Sequence, residues 1–515
     1  MTLIDRAERR QRAIAGLPLP KTPGVSEFSR VTHSRWAGVA LTLFLVYGIA
    51  LALFYFDMRE SLTTQIREVT QEMGQPNELT NSQYFEAFFG CAKYAAYTAL
   101  AWGALFFLID RLRPTFISMK LLAFGWGASV SVLISLELNT WMGTLVNVQG
   151  PGDAGTADRT AIFVAPFVEE MSKASIVFLL AMAMRYKLAT AMQLIPLAGL
   201  SAIGFAFSEN ILYYARGMLY ATKLYGVDPE SLLHEYVMLR GVYTSFGHPL
   251  FTCMLGIGLY MGVRQANKVA RVLWPLAGFM LGVTGHMMFN GLATAGIETK
   301  QLSMIGIMCV LMIGMWVFRQ FVNERAAIGW RLDDYVRAGW LNERDPLVFM
   351  SMLRRGKLLL ASFLRGWKVW RATANFINDI VELAYLRQYM TKGLIDQAGV
   401  AREHELIVDI AARRPIALSE VEGLKIKPEN WTVANAKARV LRALPWRHGA
   451  SDAKLAAKTA PVGYRQGQYS PNLVGNLVGV GSHGPATPPA AAYQAQQGRQ
   501  ISTWAPPTPP VSRQR

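Results

Sequence analysis

The stretch APFVEEMSKASIVFLLAMAM, Ala165 to Met184, has the length and apolar content of a membrane span, yet its first half carries Glu169, Glu170 and Lys173. An ionised side chain at the centre of a bilayer costs about 2.5–3.5 kcal/mol on insertion scales. Placing three of them on adjacent turns therefore requires partners on other helices, or water, at the same depth. Everything around this stretch has the composition of a membrane protein: 52% of the 515 residues are hydrophobic and 17% are charged. Apolar runs of span length fall near residues 36–56, 85–109, 121–145, 160–184, 189–215, 241–263, 272–295 and 302–318, about eight in all. The expected fold class is all-α, a polytopic membrane protein with a membrane domain over 36–318.

Lys and Arg mark the sides of the membrane, because cationic loops resist translocation. The first 35 residues hold seven Lys/Arg against three acids. The tract at Arg111, the pair Arg185/Lys187, the set Arg264/Lys268/Arg271 and the chain after Arg319 are also basic, and these are alternate connections. The intervening ones are poorer in cations: Asp57 to Tyr84 has two basic residues and five acids. Both termini are expected on the cytoplasmic side. The formal charge of +17 then belongs to topology and to anionic headgroups, and no nucleic-acid partner is expected. Cys91, Cys253 and Cys309 all lie inside predicted spans and indicate no disulfide framework. The first apolar run starts late and lacks a cleavage pattern, so it reads as a retained helix.

After the last span the composition changes twice. Residues 319–445 mix charged and apolar residues at helical spacing and predict a small helical domain. Within it Leu353, Leu360, Phe363, Leu364 and Trp367 can share a face opposite Arg354, Arg355, Arg365 and Lys368. That pattern fits either a core-facing helix of a bundle or a helix lying on the membrane. Residues 446–515 are rich in Pro, Gly, Ala and Gln and are expected to be disordered.

Away from span ends the ionisable residues are few: Lys93, Glu137, Glu169, Glu170, Lys173, Glu209, His248 and His286. Lys93 can snorkel to the surface. Counting residues from the outer end of each span puts the glutamates and histidines roughly 9–15 Å below the same surface. Residues four apart share a helix face, so Glu169 aligns with Lys173, Phe205 with Glu209, His248 with Thr252 and His286 with Asn290. Pro166 and Pro249 stand beside them and can free backbone carbonyls, which is tolerable where a helix borders a cavity. A wet cavity of acids and imidazoles suits hydrolysis, with a carboxylate as base, or a zinc-type ion held by histidines and carboxylates. It equally suits a proton or ion pathway, or a structural polar network in a binding protein. Neither histidine lies in an H-E-x-x-H string. Glu137 enters on depth alone, with hydrogen bonding as its expected role.

The ordered series EExxK (Glu169, Glu170, Lys173), FxxxE (Phe205, Glu209), FGHPLFT with His248 and GHMMFN with His286 and Asn290 resembles the PrsW family of bacterial intramembrane proteases, over roughly residues 120–320. The resemblance implies an endopeptidase of the bacterial cell membrane acting on a single-span, anti-sigma-factor-like substrate. It implies Glu169 or Glu170 as the activator of water, Lys173 as their orienting cation, and Glu209 as a second acid or ligand. His248, His286 and Asn290 would bind metal or stabilise the oxyanion. A divalent metal such as zinc, if held, would sit on Glu209, His248 and His286. The family is related to the CAAX prenyl endopeptidases, whose series ends HxxxN; Asn290 matches that ending where the PrsW pattern is often written with Asp.

Overall fold

The structure is a computed structural model and describes residues 35–74, 78–147, 155–184, 188, 190–265, 267–391 and 397–418. The expected N-terminal segment up to residue 34 and the expected tail from 446 lie outside these. All secondary structure among the described residues is helical. The chain divides into two compact units, Met1–Glu324 and Arg325–Arg515.

The first unit contains α1 (Arg35–Glu72), α2 (Asn81–Ile109), α3 (Ile117–Trp126), α4 (Val132–Gly143), α5 (Gly155–Arg159), α6 (Ala165–Ala183), α7 (Ala191–Tyr220), α8 (Pro229–Tyr236), α9 (Gly247–Val263), α10 (Lys268–Thr294) and most of α11 (Thr299–Arg337). Wide π turns at Gly127–Ser131, Thr160–Val164 and Val237–Tyr243 join α3 to α4, α5 to α6 and α8 to α9. Seven helical stretches among the described residues are long and apolar enough to cross a membrane. The run read at 160–184 is the exception, because the 19-residue α6 carries Glu169, Glu170 and Lys173. Its own acids disqualify it by apolarity, so its place depends on neighbours. The acidic connection read from Asp57 is also helical as far as Glu72. Met58, Leu62 and Ile66 repeat every four residues there and are buried, an apolar stripe that the charge count had masked.

The centre of this unit is α7, whose most apolar window is 94% buried. It packs against α2, α3, α6, α8 and α9. Small residues permit the approach: a Cβ on Gly204 would lie 2.1 Å from the Phe124 carbonyl oxygen, and one on Gly127 would lie 1.9 Å from that of Ser201. Backbone meets backbone there, as between membrane helices that lack a hydrophobic drive to associate.

The same device joins α9 to α10. Gly258 faces Gly278, Gly262 faces Pro275 and Gly282 faces the Phe251 backbone, and a Cβ on Gly278 would stand 2.4 Å from the Met254 oxygen and 2.9 Å from the Gly258 Cα. Since His248 and His286 are carried by these two helices, their spacing depends on that contact. Gly278→Val should lower stability by about 1–3 kcal/mol, the usual cost of overpacking, and read as a lower unfolding midpoint in detergent. Gly314→Val, where a Cβ meets nothing within 4 Å, is the reference; equal midpoints would refute the reading.

In the second unit α12 (Asp345–Phe349), α13 (Met352–Phe363), α14 (Trp367–Met390) and α15 (Gln397–Ala417) follow the end of α11. Phe349, Leu358, Phe376, Ile380, Leu383, Leu406 and Ile410 are buried. Arg414 donates to both oxygens of Asp345 at 2.6 and 3.0 Å, the bidentate geometry that makes such a pair specific. The inward side of α13 is Arg355, Leu358, Ala361 and Ser362. Leu353, Leu360, Phe363, Leu364 and Trp367, for which the sequence left a core-facing and a membrane-facing reading open, are all exposed.

Candidate active site

Four helices deliver the cluster. α6 is locked in place by its carbonyls and by Ser172: the Trp126 indole donates to the Ser172 oxygen at 3.0 Å and Ser201 donates to the Lys173 oxygen at 2.9 Å. The Ser172 hydroxyl meets Ser131 at 2.7 Å and Ser135 at 3.0 Å. Pro166 stands in the first turn of α6 and Pro249 is the third residue of α9. Both prolines therefore begin their helices, where the absent N–H has no partner to lose, and the acids and His248 lie near helix starts that follow π turns.

Lys173, 0% exposed, is the hub. Its ammonium donates to Glu170 Oε1 at 2.6 Å and to His248 Nδ1 at 3.1 Å, and lies 3.7 Å from Glu169 Oε2 and 4.6 Å from the Phe205 ring centre. Glu170 is saturated. Its Oε1 also accepts from His286 Nδ1 at 3.1 Å, and its Oε2 accepts from the Thr252 hydroxyl at 2.6 Å. Glu169 is not: its Oε2 is buried and has no hydrogen-bond partner. His248 donates through Nε2 to Glu209 Oε2 at 2.8 Å, and the His286 ring stacks on Phe251 at 4.8 Å.

A cavity of about 290 Å³ opens on this cluster, lined by Glu169, Glu209, Arg240, His248, His286 and Asn290 among others. Glu170 and Lys173 are not in its wall. The structure thus brings Glu169, Glu170, Lys173, Glu209, His248 and His286 into one connected network. Asn290 reaches the cavity wall but gives its amide to the Ala161 carbonyl at 2.7 Å, holding the π turn ahead of α6. Glu137 is exposed on α4 and is absent from the cavity wall.

The residue that sequence reasoning missed is Arg240, in the π turn before α9. It donates to Glu209 Oε2 and, through Nε at 3.1 Å, to Asn210, and its guanidinium lies 3.8 Å from the Tyr213 ring centre. In the sequence it reads as one more cation at a span end. The available signal was the charge sum: three carboxylates against one lysine leave a buried site far from neutral. With Arg240 engaged, Glu209 is an acceptor only, so His248 must present Nε2–H to it and keep the Nδ1 lone pair for the Lys173 side. Likewise Glu170 takes Nδ1–H of His286 and leaves Nε2 as a lone pair.

For a metal ion, Glu169, His248 and His286 offer ligand atoms within 4.8 Å of one another. The carboxylate grouped with the two histidines is Glu169, while Glu209, expected as a ligand, is engaged by Arg240 and by His248. The donor set fits: two imidazoles and a carboxylate are zinc-type ligands. A carboxylate on the far nitrogen of His286 is the usual outer support of a metal-binding histidine, and Glu169 has an oxygen with no donor. Formally, Glu169, Glu170 and Glu209 against Lys173 and Arg240 leave one negative charge for a cation to balance.

Apolar membrane helices around a buried cluster of acids and imidazoles with access to a cavity have the chemical groups of a hydrolase working within the bilayer. Residues 116–318 match the family model for PrsW family intramembrane metalloproteases. The chain therefore carries a PrsW-family domain and is a multi-pass membrane peptidase; the second unit lies wholly outside the matched residues. No curated protein and no solved structure gives a significant match.

Proposed function

We propose that the protein hydrolyses a peptide bond of a single-span membrane protein, anti-sigma-factor-like by family resemblance, with Glu169 as the base that draws a proton from water. The observation that carries this is the inequality of the two glutamates. Glu170 has both oxygens occupied by donors and is absent from the cavity wall, whereas Glu169 lines the cavity and its Oε2 accepts no hydrogen bond. A general base must be within reach of water and have a lone pair to give. The water oxygen adds to the scissile carbonyl carbon as its proton passes to Glu169. The Glu169 carboxyl then returns that proton to the leaving nitrogen as the C–N bond breaks.

Lys173 and Glu170 orient this apparatus from behind. Arg240 and Glu209 fix the tautomer of His248, and the second N–H of Asn290 is available to the carbonyl oxygen as charge develops there. His248, His286 and one oxygen of Glu169 would hold a divalent ion, which when bound supplies a Lewis acid, while the other oxygen of Glu169 keeps the role of base. The setting is a bacterial plasma membrane with both termini on the cytoplasmic side, following the distribution of Lys and Arg.

Proteoliposomes holding the protein and a tagged single-span substrate should yield two fragments with wild type and intact substrate with Glu169→Gln. Unchanged fragments from the variant would end the proposal, and ion flux without any fragments would assign the cavity to transport. Metal is tested separately. The purified protein should carry about one divalent ion per chain, as expected of a two-histidine, one-carboxylate site, and the His248→Ala/His286→Ala double variant none. Equal metal content in both would remove the assigned ligands.

A further inference from the structure

The catalytic cluster uses nothing of the second unit, yet a one-signed stretch with exposed apolar side chains lies there. Met352 to Arg371 contains no Asp or Glu and six cations, of which Arg355 is buried on the inward side and Arg354, Lys357, Arg365, Lys368 and Arg371 are not. Within it Leu353 is 80% and Trp367 64% exposed, and Leu360, Phe363 and Leu364 are exposed as well. Leu353, Leu360 and Phe363 recur at intervals of seven and three, so they run along one side of α13. The opposite side, with Leu358, Ala361 and Ser362, is already buried in the unit's own core. Trp367 and Trp370 stack with ring centres 4.6 Å apart at the start of α14, beyond a corner that Gly366 makes with φ of 111°.

A helix whose inner side is satisfied and whose outer side is again apolar needs a second medium to cover it. Three observations choose among occupants. The cations lack any interspersed acid, which favours an anionic surface and disfavours self-pairing of this patch through its charges. Trp, Phe and Leu beside Lys and Arg are the residue types that settle at a membrane–water boundary, with apolar bodies in the acyl region and charges among the headgroups. The stretch is also covalently tied to a bilayer. The apolar part of α11 ends at Arg319 and Met352 follows 33 residues later, so even weak lipid affinity acts at the high local concentration of a tethered site. We propose that Met352–Arg371 is an interfacial segment that lies on an anionic lipid surface and holds the second unit against it.

The test uses the full chain in nanodiscs of phosphatidylcholine with or without phosphatidylglycerol. Cys91, Cys253 and Cys309 are replaced by Ala, and a spin label is attached at Leu360→Cys or, as the water-exposed reference, at Glu343→Cys. With phosphatidylglycerol present, the label at 360 should become severalfold less accessible than the reference to a water-soluble nickel relaxant and severalfold more accessible to oxygen. The pair Lys357→Glu/Lys368→Glu should abolish the difference. Both lysines are exposed, and an unchanged unfolding midpoint confirms that the unit is intact. Three outcomes overturn the proposal. Nickel access at 360 equal to that at 343 in both lipids means that the patch faces water. Low access to both relaxants in both lipids means that protein, the tail or a second copy, covers it. Protection of equal size without phosphatidylglycerol removes the anionic lipid.

Discussion

Replacing Glu169 with Gln is expected to cut the rate of substrate cleavage by about 10²–10⁴-fold, the usual contribution of a positioned general base, with little change in stability. The amide keeps the volume and removes the proton acceptor. Glu169 Oε2 accepts no hydrogen bond, so its conversion gives up only the 3.7 Å charge contact with Lys173, and loss of charge beside Glu170 relieves repulsion. Glu170→Gln should differ in kind. That side chain accepts from Lys173, His286 and Thr252. An amide must turn a donor toward one of them, so the variant should lose thermal stability together with activity. The pair of measurements, turnover in proteoliposomes and unfolding midpoint in detergent, separates a base from a scaffold. Identical behaviour of the two variants in both would refute the division of labour.

The second large effect is expected at Lys173. Lys173→Met conserves much of the volume and leaves Glu169 and Glu170, 7% and 2% exposed, without their shared cation. Removing one partner of a buried ionic cluster typically costs about 3–5 kcal/mol, because the remaining charges stay desolvated and unpaired. His248 Nδ1 also loses its donor, so both the acid pair and the imidazole are released. The variant should show a markedly lower unfolding midpoint and no turnover. Adding Glu170→Gln to it should restore part of the stability, because one uncompensated charge is removed, without restoring cleavage. A single variant as stable as wild type would mean that Lys173 is not the hub of the cluster.

Hydropathy and spacing made much of this legible. The apolar runs locate the helices because a bilayer admits only segments that satisfy their backbone internally. Costly acids and histidines at matched depth point to the buried cluster, since such residues persist in spans only in company. Where local pattern misled, a longer-range contact prevailed. The loop expected after Asp57 is helical because Met58, Leu62 and Ile66 find a core, and of the two readings open for the apolar side of α13 the core-facing one fails because a different side of the same helix filled the interior.

By itself, then, the sequence determined the membrane class, the helical architecture and six members of the buried network, each through a rule local to one helix. Only the tertiary structure decided how these members differ. Glu169 and Glu170 are adjacent and chemically identical in the sequence; they diverge because Thr252 of α9 and His286 of α10 reach one and not the other. Arg240 is an ordinary span-end cation until the π turn carries it onto Glu209. Hydrogen bonds and ion pairs between helices act over a few ångströms in space and tens of residues in sequence, so no periodicity along the chain encodes which of two equivalent side chains will be left with an oxygen that accepts no hydrogen bond.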